Sequence, residues 1–453
     1  MQPTIHQEDT IVALATPPGE GGIAILRISG PRAEEILLGA FRPRQKAPLV
    51  SHMLTYGQVL DGEELVDEAM AVVMRAPRSY TREDVAEIHL HGGKYVVNRT
   101  LTLCCALGAR LAQPGEFTRR AFLNGRIDLS QAEAVMNLIS AGGQSAHRAA
   151  VRQLQGGPSQ FIRQAADELY HLQAAANVSM DYPEEISEAE ATADLLPRIL
   201  ALAEQLDDAC DQRAARLMTW GLFVTLCGRP NVGKSSLLNA LLGEDRAIVT
   251  NIPGTTRDTI TGTLTLQGME VHLTDTAGLR DADDPVEQLG VARSEKALQE
   301  ADVVLAVLDS AEPLTKEDIA LLQRLRPGKD GVVLSKSDLP AALNPKDLEA
   351  HTEAQVFLLS ARQSGSLTPL KDFLASQGQV ADRMALTQPR QIASAQEAAQ
   401  ILRRAASALE AGTPIDLVAM ELTLAQHHLG EITGDRMDQR VLDAVFQTFC
   451  VGK

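Results

Sequence analysis

The sequence predicts a chain of three parts: a leading α+β domain, a helical domain built from two separated stretches, and a parallel α/β domain inserted between them. Three observations carry this expectation. Residues 1–124 alternate short β-like runs with Gly/Pro turns, and residues 125–217 and 379–453 change to Ala, Gln, Leu and Glu at helical spacing. Between the helical stretches, residues 218–378 alternate apolar runs with amphipathic ones. At 453 residues the chain is too long for one core.

In the first part the strand candidates are TIVALAT, GIAILRIS, EAMAVVMRA and DVAEIHLHG, with one helical stretch near Ala33 to Leu38. The helical stretch after residue 128 sets Ala132, Val135, Met136 and Ile139 on one face. The α/β part offers five buried strands: LFVTLCG, EVHLTDTAG, DVVLAVLD, GVVLSKSD and QVFLLSA. Four of them end on a polar loop, as strands feeding a ligand crevice do. The final helix places Val441, Leu442, Val445, Phe446 and Phe449 in one stripe. It then delivers Cys450, Gly452 and Lys453, a thiol, a hinge and a cation.

Composition narrows the class. A 45% hydrophobic and 22% charged chain is globular, with no apolar run of the ~20 residues a membrane span needs, so no membrane association is expected. The polar start MQPTIHQEDT is no signal peptide, which makes the cytoplasm the expected location. Five cysteines without CxxC spacing argue against disulfides or zinc. A net charge of −17 opposes unaided, nonspecific binding to nucleic acid.

The strongest local signal is GRPNVGKSS, residues 228–236, a G-x-x-x-x-G-K-[ST] turn between an apolar strand and LLNALLG. Such a turn cradles phosphates with backbone N–H groups and a helix N-terminus, so Asn231, Val232, Gly233, Lys234, Ser235 and Ser236 are candidate GTP contacts. Lys234 would hold the β- and γ-phosphates and Ser235 would bind Mg²⁺. The loop Thr250, Asn251, Ile252, Pro253, Gly254, Thr255 and Thr256 follows, and Thr256 can close on Mg²⁺ and the γ-phosphate. Asp275, Thr276, Ala277 and Gly278 form DTAG, whose glycine N–H senses the γ-phosphate. Guanine would be read by Ser335, Lys336, Ser337 and Asp338 with Ser360, Ala361 and Arg362, Asp338 accepting from the ring N–H and exocyclic amine. The motif N-K-x-D begins here with Ser335, whose shorter side chain is expected to lose a contact to the base or P-loop and to weaken nucleotide binding.

The hydrolytic machinery lacks the water-orienting Gln of Ras-like proteins, because that position is Leu279. The carbonyl oxygen of Asn231 and oxygens of the AIVTNIPGTT loop could together hold a monovalent cation; in the bland alternative Asn231 only shapes the loop.

Beyond these motifs, the chain resembles the tRNA modification GTPases of the MnmE/TrmE family along nearly its whole length. DTIVALATPPGEGGIAILRISG, PGEFTRRAFLNGRIDLSQAEAV, MDYPEE and FCVGK carry the resemblance, whereas the nucleotide motifs would fit many GTPases. The resemblance implies a Ras-like G domain and a potassium-dependent GTP hydrolase. It implies a homodimer that joins an FAD-dependent MnmG/GidA-family protein in a heterotetramer. Together they use a one-carbon tetrahydrofolate (5,10-methylenetetrahydrofolate, with 5-formyltetrahydrofolate as analogue) to add a carboxymethylaminomethyl-type group to C5 of the wobble uridine, position 34, of certain tRNAs.

Residue by residue, the resemblance implies folate contacts at Arg27, Glu87 and Arg126 in an N-terminal tetrahydrofolate-binding domain, with Lys453 pointing toward the same pocket. It implies K⁺ at Asn231, Thr250, Ile252 and Thr255, and Mg²⁺ at Ser235 and Thr256. The water-orienting carboxylate falls to Glu287, which read alone is a solvated acidic loop residue. Cys450 is expected inside the helical domain near the one-carbon chemistry, as proton donor, nucleophile or packing group. The competing expectation is a regulatory GTPase that binds ribosome or RNA as a switch without one-carbon chemistry; it requires the FCVGK tail to be dispensable.

Overall fold

The computed structural model describes residues 9–45, 47–182, 184–185, 187–244, 262–275, 301–363, 365–378 and 386–452. They form two compact units: Met1–Met136 with Gln153–Glu204 and Ser394–Lys453, and Asn137–Arg152 with Gln205–Ala393. No helix among the described residues is long and apolar enough to cross a membrane.

The first unit opens with β1 (Ile11–Leu14), β2 (Gly21–Ser29), α1 (Ala33–Ala40), β3 (Phe41–Pro43), β4 (Thr55–Asp61), β5 (Glu64–Met74), β6 (Val85–Gly92), α2 (Lys94–Ala106), β7 (Arg110–Leu111) and α3 (Glu116–Leu123). The strands form one sheet in the order β3-β4-β5-β6-β2-β1-β7, antiparallel except where β7 runs alongside β1. Period-two alternation divides its faces. Ala24, Leu26 and Ile28 of β2 and Ala86, Ile88 and Leu90 of β6 are buried in a core shared with Ile36 and Leu37 of α1 and with Val97 and Cys104 of α2. Arg27, Glu87 and His89 occupy the alternate positions, so they point to the opposite face. Short strands β3, β4 and β7 and helices α2 and α3 were not expected; β3 and β7 are too brief to show a period.

The unit's helical part contains α6 (Gly157–Asp181), most of α7 (Glu188–Asp208) and of α13 (Pro389–Glu410), α14 (Ile415–Thr433) and α15 (Gln439–Gln447), following the start of α4 (Leu129–Ser140). Helices α6 and α14 pack lengthwise, burying Leu169, Leu172 and Ala176 on one and Val418, Leu422, Ala425 and Leu429 on the other. Leu442, Phe446 and Phe449 close against Leu129 and Phe122. Two expected stripes are shallower than their spacing suggested: Val441 and Ile139 are exposed, while Ala134 is buried. A spacing of three or four fixes a shared face, and the breadth of the partner surface decides how much of that face is covered.

In the second unit the end of α4 and α5 (Gln144–Leu154) precede α8 (Gln212–Trp220) and a six-stranded sheet. Its strands are β8 (Leu222–Cys227), β9 (Gly262–Leu266), β10 (Met269–Asp275), β11 (Val303–Asp309), β12 (Gly331–Ser335) and β13 (Gln355–Leu358), in the order β13-β12-β11-β8-β10-β9. All pairs are parallel except β9 with β10, so the expected five-strand sheet gains an antiparallel edge. Every residue of β11 is buried, as expected for a strand covered on both faces. Helices α9 (Lys234–Glu244), α10 (Lys316–Leu322), α11 (Pro345–Leu348) and α12 (Thr368–Gln377) complete the unit. The loop between α4 and α5 lies on the β9–β10 turn: Gln144 N and Ser145 N donate to Gly268 O at 2.5 and 3.2 Å. Gly143 comes so close that an added Cβ would stand 3.0 Å from Glu270 N.

Candidate functional site

Strand order fixes where a ligand goes in the second unit. From β8 the chain proceeds to β10 on one side and to β11 on the other, which makes the carboxyl end of β8 the switch point of the sheet. The P-loop leaves from that end. Gly228, at φ +147, passes so close to Val307 O that a side chain would collide with it, and Gly233 takes φ +102. Asn231 lies at φ +64, a left-handed conformation that Asn tolerates better than most residues. These angles turn the loop back onto α9, whose first residue is Lys234.

The candidate side chains converge at the strand ends. Lys234 is buried, and its Nζ donates to the P-loop oxygens Gly228 O (2.9 Å) and Arg229 O (2.7 Å). Ser235 Oγ donates to Asp275 Oδ2 at 3.0 Å, joining a hydroxyl and a carboxylate, the hard oxygen donors that suit Mg²⁺. Arg229, the arginine within the loop, is engaged by Glu312 and Asp318, each at 3.1 Å, and so is committed away from the phosphate cradle.

On the guanine side, Lys336 Nζ binds Asp309 Oδ2 at 2.6 Å. Ser360 Oγ donates to Asp338 Oδ1 at 2.7 Å, and this hydrogen bond, with a backbone one and the Arg362 charge, holds the Asp338 carboxyl below its ordinary value. An ionised Asp338 is an acceptor only, as a guanine N–H and amine require. Of the two contacts weighed for Ser335, base or P-loop, the second is made: its hydroxyl reaches Val232 O in the P-loop and also Leu308 O at 3.0 Å. A single hydroxyl proton serves those two carbonyls.

Thr250, Asn251, Ile252, Pro253, Gly254, Thr255, Thr256, Thr276, Ala277, Gly278, Leu279, Glu287 and Lys453 lie outside the described residues.

A second constellation forms on the open face of the first unit's sheet. The β2–β6 register sets Arg27 opposite Glu87, and Arg27 Nε donates to Glu87 Oε1 at 2.8 Å. His89 Nε2 stands 3.3 Å from the other carboxylate oxygen. The Arg27 guanidinium is 5.6 Å from the Tyr80 ring centre and that of Arg126 is 4.7 Å from it, while Arg126 Nη1 also donates to Tyr80 O at 3.0 Å. Tyr80 Oη and Thr118 Oγ1 share a hydrogen bond of 2.9 Å. Sequence reasoning missed Tyr80, Thr118 and His89; His89 alone carried a signal, as the position two beyond Glu87 on the same strand face.

The tail arrives at this same face. Arg27 Nη1 donates to Gly452 O at 3.4 Å, and Gly115 N donates to Cys450 O at 3.3 Å. Two expectations need correction. Cys450 is exposed, because α15 ends at Gln447 and the buried aromatic Phe449 turns the next side chain outward. Gly452, expected as a hinge, comes after the helix has ended at Gln447, and at φ +94 it lies against Leu14 O, where any Cβ would collide.

Behind this face lies a buried ionic cluster. Glu116, 1% exposed, accepts from Arg110 Nη2 at 2.7 Å and from Arg120 Nη2 at 3.1 Å; Arg120 also reaches Asp9 and Glu83. Burial pushes the Glu116 carboxyl up, and the hydrogen bond from Arg110, helped by Gln113 N and both positive charges, brings it below its ordinary value. This explains why the charge-rich stretch GEFTRRAF folds into α3 with two of its three charged residues, Glu116 and Arg120, inside.

A parallel sheet with this order, a G-x-x-x-x-G-K-S turn at its switch point and a Ser–Asp pair beside it define a P-loop nucleotide-binding domain of the Ras-like GTPase class. The family model described as GTP-binding protein TrmE N-terminus matches residues 10–126, and that of the MnmE helical domain matches residues 129–450. The chain belongs to the MnmE/TrmE family of tRNA modification GTPases. Curated relatives named tRNA modification GTPase MnmE from Lactiplantibacillus plantarum and Enterococcus faecalis are each 43% identical, with both chains covered over 100% of their length. One from Lactococcus lactis subsp. cremoris is 43% identical over 99% of this chain and 100% of its own. Among solved structures, the G domain of the T. maritima FeoB iron transporter is 28% identical, covering 35% of this chain and 99% of that one, with a TM-score of 0.28.

Proposed function

We propose that this chain is a K⁺- and Mg²⁺-dependent GTPase that acts in the cytoplasm as a homodimer, joined by an FAD-dependent MnmG/GidA-family partner in a heterotetramer. Its product is the carboxymethylaminomethyl-type group on C5 of the wobble uridine of certain tRNAs. The observation that carries the reading is the tail contact: Arg27, already paired with Glu87, reaches Gly452 O beside Tyr80 and Arg126. A regulatory switch without a folate site has no use for that contact.

In this reading a 5,10-methylenetetrahydrofolate bound there supplies carbon at the one-carbon oxidation level of formaldehyde. Arg27 and Arg126 meet its anionic groups, Glu87 accepts from the pterin N–H groups, and Tyr80 offers a ring face. Lys453 adds a cation at the same pocket. Cys450, exposed beside it, is available to solvent and substrate. In the G domain Lys234 binds the β- and γ-phosphates, Ser235 and Thr256 hold Mg²⁺, and Asp338 reads guanine. The oxygens of Asn231, Thr250, Ile252 and Thr255 hold K⁺, which supplies the positive charge that Arg229 cannot. Glu287 orients the attacking water in place of Leu279.

Mass spectrometry of wobble uridines from cells lacking the protein tests the whole reading, and unmodified uridines are expected. Uridines carrying the full modification would overturn it. Single-turnover GTP hydrolysis tests the chemistry: exchange of K⁺ for Na⁺, or Glu287→Ala, should each slow it by about 10²-fold with GTP affinity unchanged. Equal rates in the two salts would remove the cation from the mechanism.

A further inference from the structure

The chain carries 59 acidic and 42 basic residues, so a polyanionic substrate needs a local group of cations to hold it. In the N-terminal domain Arg32, Arg75, Arg99, Arg110 and Arg120 each reach a carboxylate within 2.7 Å. Arg78, Arg82 and Arg126 are exposed, and among the described residues none of the three makes an ion pair. Arg82 and Arg126 stand on adjoining turns, and Arg78 is four residues before Arg82 in the chain. Arg82 Nη1 donates to Asn124 O (3.0 Å), Asn124 Nδ2 donates to Thr81 O (2.7 Å), and Arg126 Nη1 returns to Tyr80 O (3.0 Å). These bonds clasp the 78–82 loop to the 124–126 turn. The carboxylates next in sequence to Arg82 are occupied, Glu83 by Ser29 and Arg120, and Asp84 by Ala76 N.

We infer that Arg78 and Arg82 form an RNA-backbone contact beside the Tyr80–Arg126 cluster, taking phosphates of the anticodon arm whose wobble uridine is presented to it. The inference rests on the function proposed above and adds the surface that meets the RNA. Arg82 uses one donor on the Asn124 carbonyl and keeps the remainder of its fork for a phosphate, with its direction already fixed. A folate accounts for Arg126 only; Arg78 and Arg82 exceed its needs. A uridine presented beside Tyr80 brings phosphates on both sides of it, and Arg78 and Arg82 are the exposed cations of the adjoining chain segment. The patch also explains how a strongly acidic protein holds a polyanion: binding is local, and the remaining surface repels incorrect docking.

Fluorescence anisotropy of a labelled anticodon stem–loop with the full-length protein, over a salt series, tests this. Arg78→Glu and Arg82→Ala should each weaken binding by about tenfold. Each should also flatten the dependence of log K on log salt by about 0.7 to 0.9 per lost phosphate contact. Arg42→Glu is the control, since Arg42 on edge strand β3 is exposed and likewise without an ion pair among the described residues; it should change neither. Affinity for 5-formyltetrahydrofolate, read by calorimetry, should be unchanged in Arg78→Glu, which guards against a folding defect. Wild-type stem–loop affinity and slope in both variants would overturn the inference, as would an equal loss in Arg42→Glu. So would a loss confined to polyglutamylated folate, which would assign the patch to the folate tail. A wild type that binds folate and not the stem–loop overturns this inference alone, whereas one that binds neither overturns the functional reading as well.

Discussion

The nucleotide site and the cluster around Tyr80 are assembled by opposite means. The first is written in short consecutive runs at the ends of adjacent parallel strands, so that local sequence and local geometry coincide. The second joins Arg27 on β2, Tyr80 and Arg126 on two turns and Gly452, 425 residues beyond Arg27, by sheet register and tail docking. The difference teaches that backbone-built sites tolerate change around them, whereas a site assembled by register depends on every element that brings a member to it.

The most severe break of that comparison is Lys234→Ala. It should lower GTP turnover by about 10² to 10³-fold while leaving 5-formyltetrahydrofolate affinity at the wild-type value, because the two constellations share no residue. Calorimetry beside a phosphate-release assay reads both quantities, and a parallel fall in folate affinity would show that the sites are one functional unit. Removal of residues 450–453 makes the reverse test. Losing the Arg27–Gly452 bond and the tail packing should weaken folate binding by roughly tenfold to thirtyfold and abolish tRNA modification, with basal hydrolysis intact. A truncated protein that still modifies tRNA would make the tail ornamental. The smallest expected effect is Ser335→Ala, which leaves Val232 O and Leu308 O without their hydroxyl donor and should weaken GDP binding about fivefold, the equivalent of ~1 kcal/mol. An unchanged GDP affinity would mean that the P-loop does not depend on this serine.

Legibility in the sequence followed the same divide. GRPNVGKSS, the Asp275 that opens DTAG and SKSD appear where their spacing puts them, because a parallel strand that is buried on both faces announces itself as an apolar run ending in polar residues. Edge strand β9 escaped notice since Gly262–Leu266 is short and follows a long polar stretch. Tyr80 and Thr118 could not be read from pattern, for nothing local distinguishes them before the β2–β6 register and α3 are known. Cys450 was expected inside because the stripe Leu442, Phe446 and Phe449 was extrapolated past Gln447, where the helix and its period both stop. Ser335 was judged by what its side chain lacks, whereas its surroundings show a carbonyl close enough for a shorter donor.

The seating of the 142–145 loop on the β9–β10 turn has a practical consequence for anyone cutting the chain. A fragment made to the motif boundaries, residues 218–378, would keep every nucleotide-binding residue and discard Gln144 and Ser145, whose amides hold Gly268 O. The hairpin tip would then have only water for that carbonyl, and β9, an edge strand paired on one side, would lose its clamp. Kinetics measured on such an excised piece would describe a looser enzyme than the one encoded. A faithful fragment has to bring residues 137–152 along, by fusion or by co-expression, as a noncontiguous part of the same folding unit.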